Sequence, residues 1–181
     1  MVMPLHRVNV LTGVKAAIVL DDATEYAALV KQARRPLLVL GPKVMEVSLG
    51  DKLLLDYALE LAEAGNMPIC ATSHVKGKMV ERETSPEAEY DVVEMVNFLK
   101  DPDWHGVRNE GQHDVVLFLG FRTDVGNQVL STLKHFARHL RTMTLCKYFY
   151  PNADYSLPNI RDDEEWRKFL EELTSIVKED E

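Results

Sequence analysis

The sequence predicts an α/β fold, a three-layer, doubly wound parallel sheet of Rossmann-like type. Three observations carry this. Short runs recur that are apolar throughout and bounded by Pro, Gly or Asp: Leu37–Leu40, Ile69–Thr72 and Asp114–Gly120. Such runs suit strands covered on both faces, as in a parallel sheet. Stretches with apolar residues at helical spacing lie between them, and Pro36 to Thr72 reads as strand, crossover helix and parallel strand, which should be right-handed.

Taken in order, residues 1–14 form an amino-terminal arm without a clear period, and 15–181 form one Rossmann-like domain ending in a helix. Lys15–Leu20 is a short strand or the approach to a helix. Asp21–Arg34 is helical, with Asp21 or Asp22 at its start and basic residues at its end. The first core strand, Leu37–Leu40, ends at Gly41. A loop with Pro42 and Gly50 follows, then a helix over Asp51–Ala64, capped by Ser48 or Asp51 and closed by Gly65. The second strand runs into a polar segment, Ser73–Lys78, expected to be a loop.

Pro86 is expected to open a helix that buries Val92, Val93, Met95, Val96 and Leu99. Asp101–His113 is an irregular polar connection. The third strand, Asp114–Gly120, leads into a helix over Val125–His139. Thr142–Cys146 is a fourth strand, followed by a loop rich in Pro, Asn and Tyr. The last helix, Asp162–Lys178, has an acidic first turn and turns Trp166, Phe169, Leu170, Leu173 and Ile176 inward.

Length and composition bound the function. At 181 residues the chain fits one domain that buries roughly 70% of its unfolded surface and needs no staple. A net charge of −8 argues against nucleic-acid binding, since phosphate-backbone sites concentrate Lys and Arg. No run is long enough to span a bilayer, and the first residues lack a secretory pattern. The two cysteines, Cys70 and Cys146, read as buried free thiols. Two thiols cannot supply the four thiolates of a usual iron–sulfur cluster.

Candidate ligand contacts follow from topology. In open parallel sheets ligands sit beyond the carboxyl ends of the strands, where helix N-termini direct their amides. The positions there are Gly41, Pro42 and Lys43 after the first strand, Ser73 and His74 after the second, and Gly120, Phe121 and Arg122 after the third. The three-glycine dinucleotide fingerprint is absent, because Pro42 follows Gly41 and the next glycine is Gly50. Arg122 has two open readings, a phosphate or ring clamp and an ion pair with a nearby acid. His135 and His139 are four apart, but no third metal ligand stands at an informative spacing. Serine-elbow, Walker and HExxH patterns are missing.

The stretches ARRPLLVLGP, LLLDYALELAEAGNMPICATSHVKG and EGQHDVVLFLGFRTDVGNQVLSTLKHFARHLRTMTLCKYFYPNADYSLPNI resemble the epsilon-subunit family of the archaeal acetyl-CoA decarbonylase/synthase (CO dehydrogenase/acetyl-CoA synthase) complex. The likeness covers about Lys15–Ile160, and GQHD, LKHFA and PNADYSLPN are its specific parts. It implies a cytoplasmic, non-catalytic accessory subunit held by the large nickel–iron–sulfur CO dehydrogenase catalytic subunit, stabilising it and aiding electron transfer to FAD. The strand–helix–strand pattern is also similar, more distantly, to the FAD- or nucleotide-binding central domain of thiamine-diphosphate enzymes. That likeness implies the alternative, a flavin- or nucleotide-binding redox module acting through the strand-end residues named above.

Overall fold

A computed structural model of the chain describes residues 15–179. Among the described residues, seven parallel strands form the sheet: β1 (Ile18–Val19), β2 (Pro36–Leu40), β5 (Ile69–Ala71), β6 (Ala88–Glu89), β7 (Val115–Leu119), β8 (Arg141–Thr144) and β9 (Tyr155–Ser156). Their spatial order is β1-β9-β8-β7-β2-β5-β6. The centre is where the sequence is most apolar. Leu37–Leu40 and Val115–Leu119 are all buried, and they pair in register from Pro36↔Val115 to Leu40↔Leu119.

The chain enters the sheet's centre at β2 and moves outward to β6. It then returns to β7 on the other side of β2 and continues to β8 and β9. Crossovers of one hand that travel in opposite directions must lie on opposite faces. Helix α2 (Leu54–Ala64) therefore lies on one face with α1 (Ala23–Gln32) and α6 (Asp163–Lys178), which pack on one another. Helices α4 (Val92–Lys100) and α5 (Thr123–Phe136) pack together on the other. The switch point of the double winding falls between β2 and β7.

Several local expectations are corrected. The helix expected from Asp51 starts at Leu54, because Ser48–Leu49 (β3) and Lys52–Leu53 (β4) form a small hairpin around Gly50 at φ 63°. Neither Ser48 nor Asp51 caps α2; the Asp56 carboxylate accepts from the Leu53 amide at 2.8 Å instead. Ser73–Val80 is a helix, α3, and not a loop. Only Val75 and Met79 of that helix are buried, and two apolar positions among polar ones and Gly77 leave too faint a period to read. Pro86 opens no helix: β6 follows it, and α4 begins at Val92 on the Asp91 carboxylate, which accepts from Val93 and Glu94 at 2.8 and 2.9 Å. Val93 is exposed at 64%, on the solvent side of α4. Helix α5 ends at Phe136, so His139 lies beyond it and the two histidines do not share a helix face.

Strand β9 sits inside the segment expected to be a loop. Two buried side chains fix it there. Ser156 Oγ accepts from the Tyr150 amide and from Thr144 Oγ1, while the Tyr150 hydroxyl donates to the Phe121 carbonyl at 2.8 Å. The final helix follows the expected stripe, with Trp166, Phe169, Leu170 and Leu173 buried and Val177 replacing half-buried Ile176. The amino-terminal arm lies outside the described residues.

Both thiols are buried and unpaired. Burial pushes the Cys70 thiol up to about 12 and raises Cys146 as well, so neither offers a thiolate at neutral pH. A thiol-specific reagent should therefore label neither cysteine quickly in the native chain and both after denaturation. Fast labelling of one native thiol would contradict the packing around it.

Candidate functional site

The strand-end candidates come together around the switch point, but most of them pack on each other. Gly41 donates to the Leu119 carbonyl at 2.8 Å and Lys43 donates to the Gly120 carbonyl at 2.9 Å. These bonds seat a single 3-10 turn, Pro42–Met45, between the ends of β2 and β7, with Val44 fully buried. Gly41 and Gly120 touch: a Cβ on Gly41 would lie 2.5 Å from the Gly120 carbonyl oxygen. Gly120 also adopts φ 79°, a conformation costly for residues with a Cβ. Phe121 is buried, its ring 5.6 Å from that of Phe118. These glycines serve the closure of the crevice by the turn.

What stays exposed is the rim: Pro42, Ser73, His74 and Arg122, with Lys43 half-buried. Arg122 makes a two-pronged contact with Asp124, at 3.2 Å through Nε and 2.8 Å through Nη2. That guanidinium, with the Val125 amide, holds the Asp124 carboxyl below its ordinary range. Lys76 pairs with Glu89, and Lys78 with Glu81. Behind the rim, Cys70, Tyr90, Met95 and Phe121 close on one another and leave no cavity of ligand size. Enclosed cofactor sites are commonly ~300–1,000 Å³. As arranged, the residues do not enclose a flavin.

The opposite edge of the sheet carries a feature that sequence reasoning missed. His113, in the connection from α4 to β7, is buried. Its Nδ1–H donates to the Arg35 carbonyl at 2.9 Å, and its Nε2 accepts from the Val107 amide at 3.2 Å. The Trp104 ring lies 5.6 Å from it. Asp114 next to it accepts from the Arg34 and Arg35 amides at 2.8 and 2.9 Å; burial opposes its ionisation, but those amides keep its pKa below the usual value. Only the pair of polar residues after a glycine, Gln112 and His113, marked this place in the sequence.

Burial lowers the His113 pKa, and a proton on Nε2 would face the Val107 N–H. A His with a depressed folded pKa stabilises the native state above its unfolded pKa, near 6.5. That contribution is lost as pH falls from there through the folded value. Urea unfolding at pH 7.5 and at pH 5 should show a loss at the lower pH that His113→Gln reduces. An equal loss in both chains would remove His113 as its source.

Among the described residues no group of three His, Cys, Asp or Glu side chains gathers to hold a metal. His135 spends Nδ1 on the Ser131 carbonyl at 2.7 Å. No helix of the described residues is long and apolar enough to cross a membrane. The geometry thus shows a tightly packed α/β sheet whose usual ligand crevice is filled.

Comparison with known proteins supplies what the geometry does not. The family model described as CO dehydrogenase beta subunit/acetyl-CoA synthase epsilon subunit matches residues 2–174. The chain belongs to this family. Within the epsilon family, it is 40% identical over 167 residues to the acetyl-CoA decarbonylase/synthase complex subunit epsilon of Methanothermobacter thermautotrophicus, covering 91% of each chain. It is 33% identical to the Methanothrix soehngenii protein of the same name, over 83% of this chain and 79% of that one. The subunit epsilon 1 of Archaeoglobus fulgidus is 34% identical over 77% of this chain and 73% of its own. The sequence resemblance and the Rossmann-like fold therefore agree in an epsilon-family chain.

Proposed function

We propose that this chain is an accessory, non-catalytic subunit of the CO dehydrogenase component of an acetyl-CoA decarbonylase/synthase complex. Its partner is the large nickel–iron–sulfur catalytic subunit, its place is the cytoplasm, and its work is to stabilise that partner. The observation that carries this reading is the filled switch point. An epsilon-family chain whose ligand crevice is closed by the Pro42–Met45 turn, with both thiols buried, has its outer surface left to act with. The test is irreversible thermal inactivation of CO oxidation by the catalytic subunit, with and without this chain. Slower inactivation at unchanged kcat supports the reading; a changed kcat with an unchanged inactivation rate opposes it.

A second reading, a flavin- or nucleotide-binding redox module acting on its own, rests on one observation. Helix α3 starts at the rim with no side-chain cap, leaving amides that suit a pyrophosphate; at the start of α5 the Asp124 carboxylate already takes the Val125 amide. It requires the Pro42–Met45 turn to withdraw, so that Gly41, Lys43, Gly120 and Phe121 join Pro42, Ser73, His74 and Arg122 as contacts. Titration with FAD decides it: quenched flavin fluorescence in the isolated chain or the complex favours it, and no spectral change in either removes it.

A further inference from the structure

At the amino edge of the sheet, away from the switch point, three connections converge: α1 to β2, α2 to β5 and α4 to β7. They line a partly open pocket of about 150 Å³ whose wall includes Arg34, Arg35, Asn66, Arg108, Glu110 and His113. Three guanidinium groups and one carboxylate on one pocket are unusual in a chain of net charge −8.

The hydrogen-bond inventory shows what the pocket can take. Arg35 gives Nε to the Gln112 carbonyl at 2.8 Å and Nη1 to the Glu110 carbonyl at 3.3 Å. Backbone carbonyls orient a guanidinium without neutralising it, and Nη2 is left over. Arg108 is steadied by the Asn66 carbonyl at 3.3 Å and by Glu87 at 2.6 Å. The neighbouring acids Glu87 and Asp114 are already served: Glu87 also accepts from the Ile69 amide, and both Asp114 oxygens accept from the Arg34 and Arg35 amides, whereas the Glu110 carboxylate on the wall has no hydrogen-bond or ion-pair partner among the described residues. His113 has both ring nitrogens engaged. The Arg34 guanidinium has no hydrogen-bond or ion-pair partner among the described residues. The wall therefore holds spare, preset donors and few spare acceptors, and its complement is an oxyanion.

We propose that this pocket binds a small organic anion through its phosphate or carboxylate group, with Arg35 and Arg108 fixed in advance and Arg34 closing on the ligand. The site is separate from the strand-end crevice and does not depend on the subunit role above.

The experiment is an amide-resolved NMR titration of the full chain with inorganic phosphate and, separately, with acetate. The expected result is saturable shifts at Arg34, Arg35 and Arg108–Gly111 with at least one of them; phosphate alone, acetate alone or both then names the group recognised. Arg34→Ala, which removes a side chain that holds no other residue, should weaken that binding at least about tenfold, and Arg34→Lys less. Arg138→Ala, outside the pocket, should leave it unchanged. Shifts that stay linear with both anions, or equal affinity in wild type and Arg34→Ala, would overturn the proposal.

Discussion

Gly120→Ala is expected to cost about 3 kcal/mol or more. Two terms add. The backbone at φ 79° disfavours a residue with a Cβ by roughly 1–2 kcal/mol, and overpacking a filled site costs typically ~1–3 kcal/mol. The new Cβ would meet the Val44 side chain, the Val44 nitrogen at 2.8 Å and the Gly41 carbonyl oxygen at 2.9 Å. Two of those three are backbone, which cannot swing aside as a flexible side chain would. For a chain of this size each kcal/mol is ~2–4 °C in Tm, so thermal denaturation followed by circular dichroism should fall by roughly 6–12 °C. A fall under about 2 °C would mean that the Pro42–Met45 turn moves away cheaply. The crevice would then be open to a ligand, and the flavin reading would gain.

The second large effect is expected at Trp166. Its ring is buried in the layer where α6 packs on α1 and α2, and Nε1–H donates to the Leu145 carbonyl at 2.8 Å. That bond ties the terminal helix to the segment just beyond β8. Trp166→Ala removes both the packing and the donor, and should destabilise by about 3–5 kcal/mol. Trp166→Phe keeps most of the apolar contact but strands a buried carbonyl, at about 1–3 kcal/mol. Chemical denaturation of the two variants measures the difference. If both lose the same amount, the packed volume contributes nothing and the hydrogen bond to Leu145 alone holds α6 in place.

How much of this was legible in the sequence follows from where the physical signal is dense. β2 and β7 were plain, because a strand buried on both faces leaves an uninterrupted apolar run. The α6 stripe was plain for the corresponding reason at helical spacing. β9 was hidden: it is two residues long and is held by Ser156, Thr144 and Tyr150 through side-chain contacts that no periodicity reports. Helix α3 was hidden because only Val75 and Met79 need burying.

The strand-end candidates illustrate a different gap. Topology located Gly41 and Gly120 at the switch point, and they do meet there. Whether glycines at such a point admit a ligand or a neighbouring turn depends on the next four residues, and Pro42–Met45 gave no sign that Val44 would plug the gap. For Arg122 the sequence allows both a clamp and an ion pair; in the structure it holds Asp124. The arginine pocket was out of reach altogether, since it is assembled from three connections far apart in sequence.

We propose that this chain acts by holding a larger partner. The most direct measurement of that hold is size-exclusion chromatography with light scattering, on this chain and the catalytic subunit mixed at micromolar concentrations. The expected result is one peak containing both chains in fixed ratio, with neither left at its own elution volume when mixed in that ratio. Two unshifted peaks at the masses of the separate proteins would contradict it.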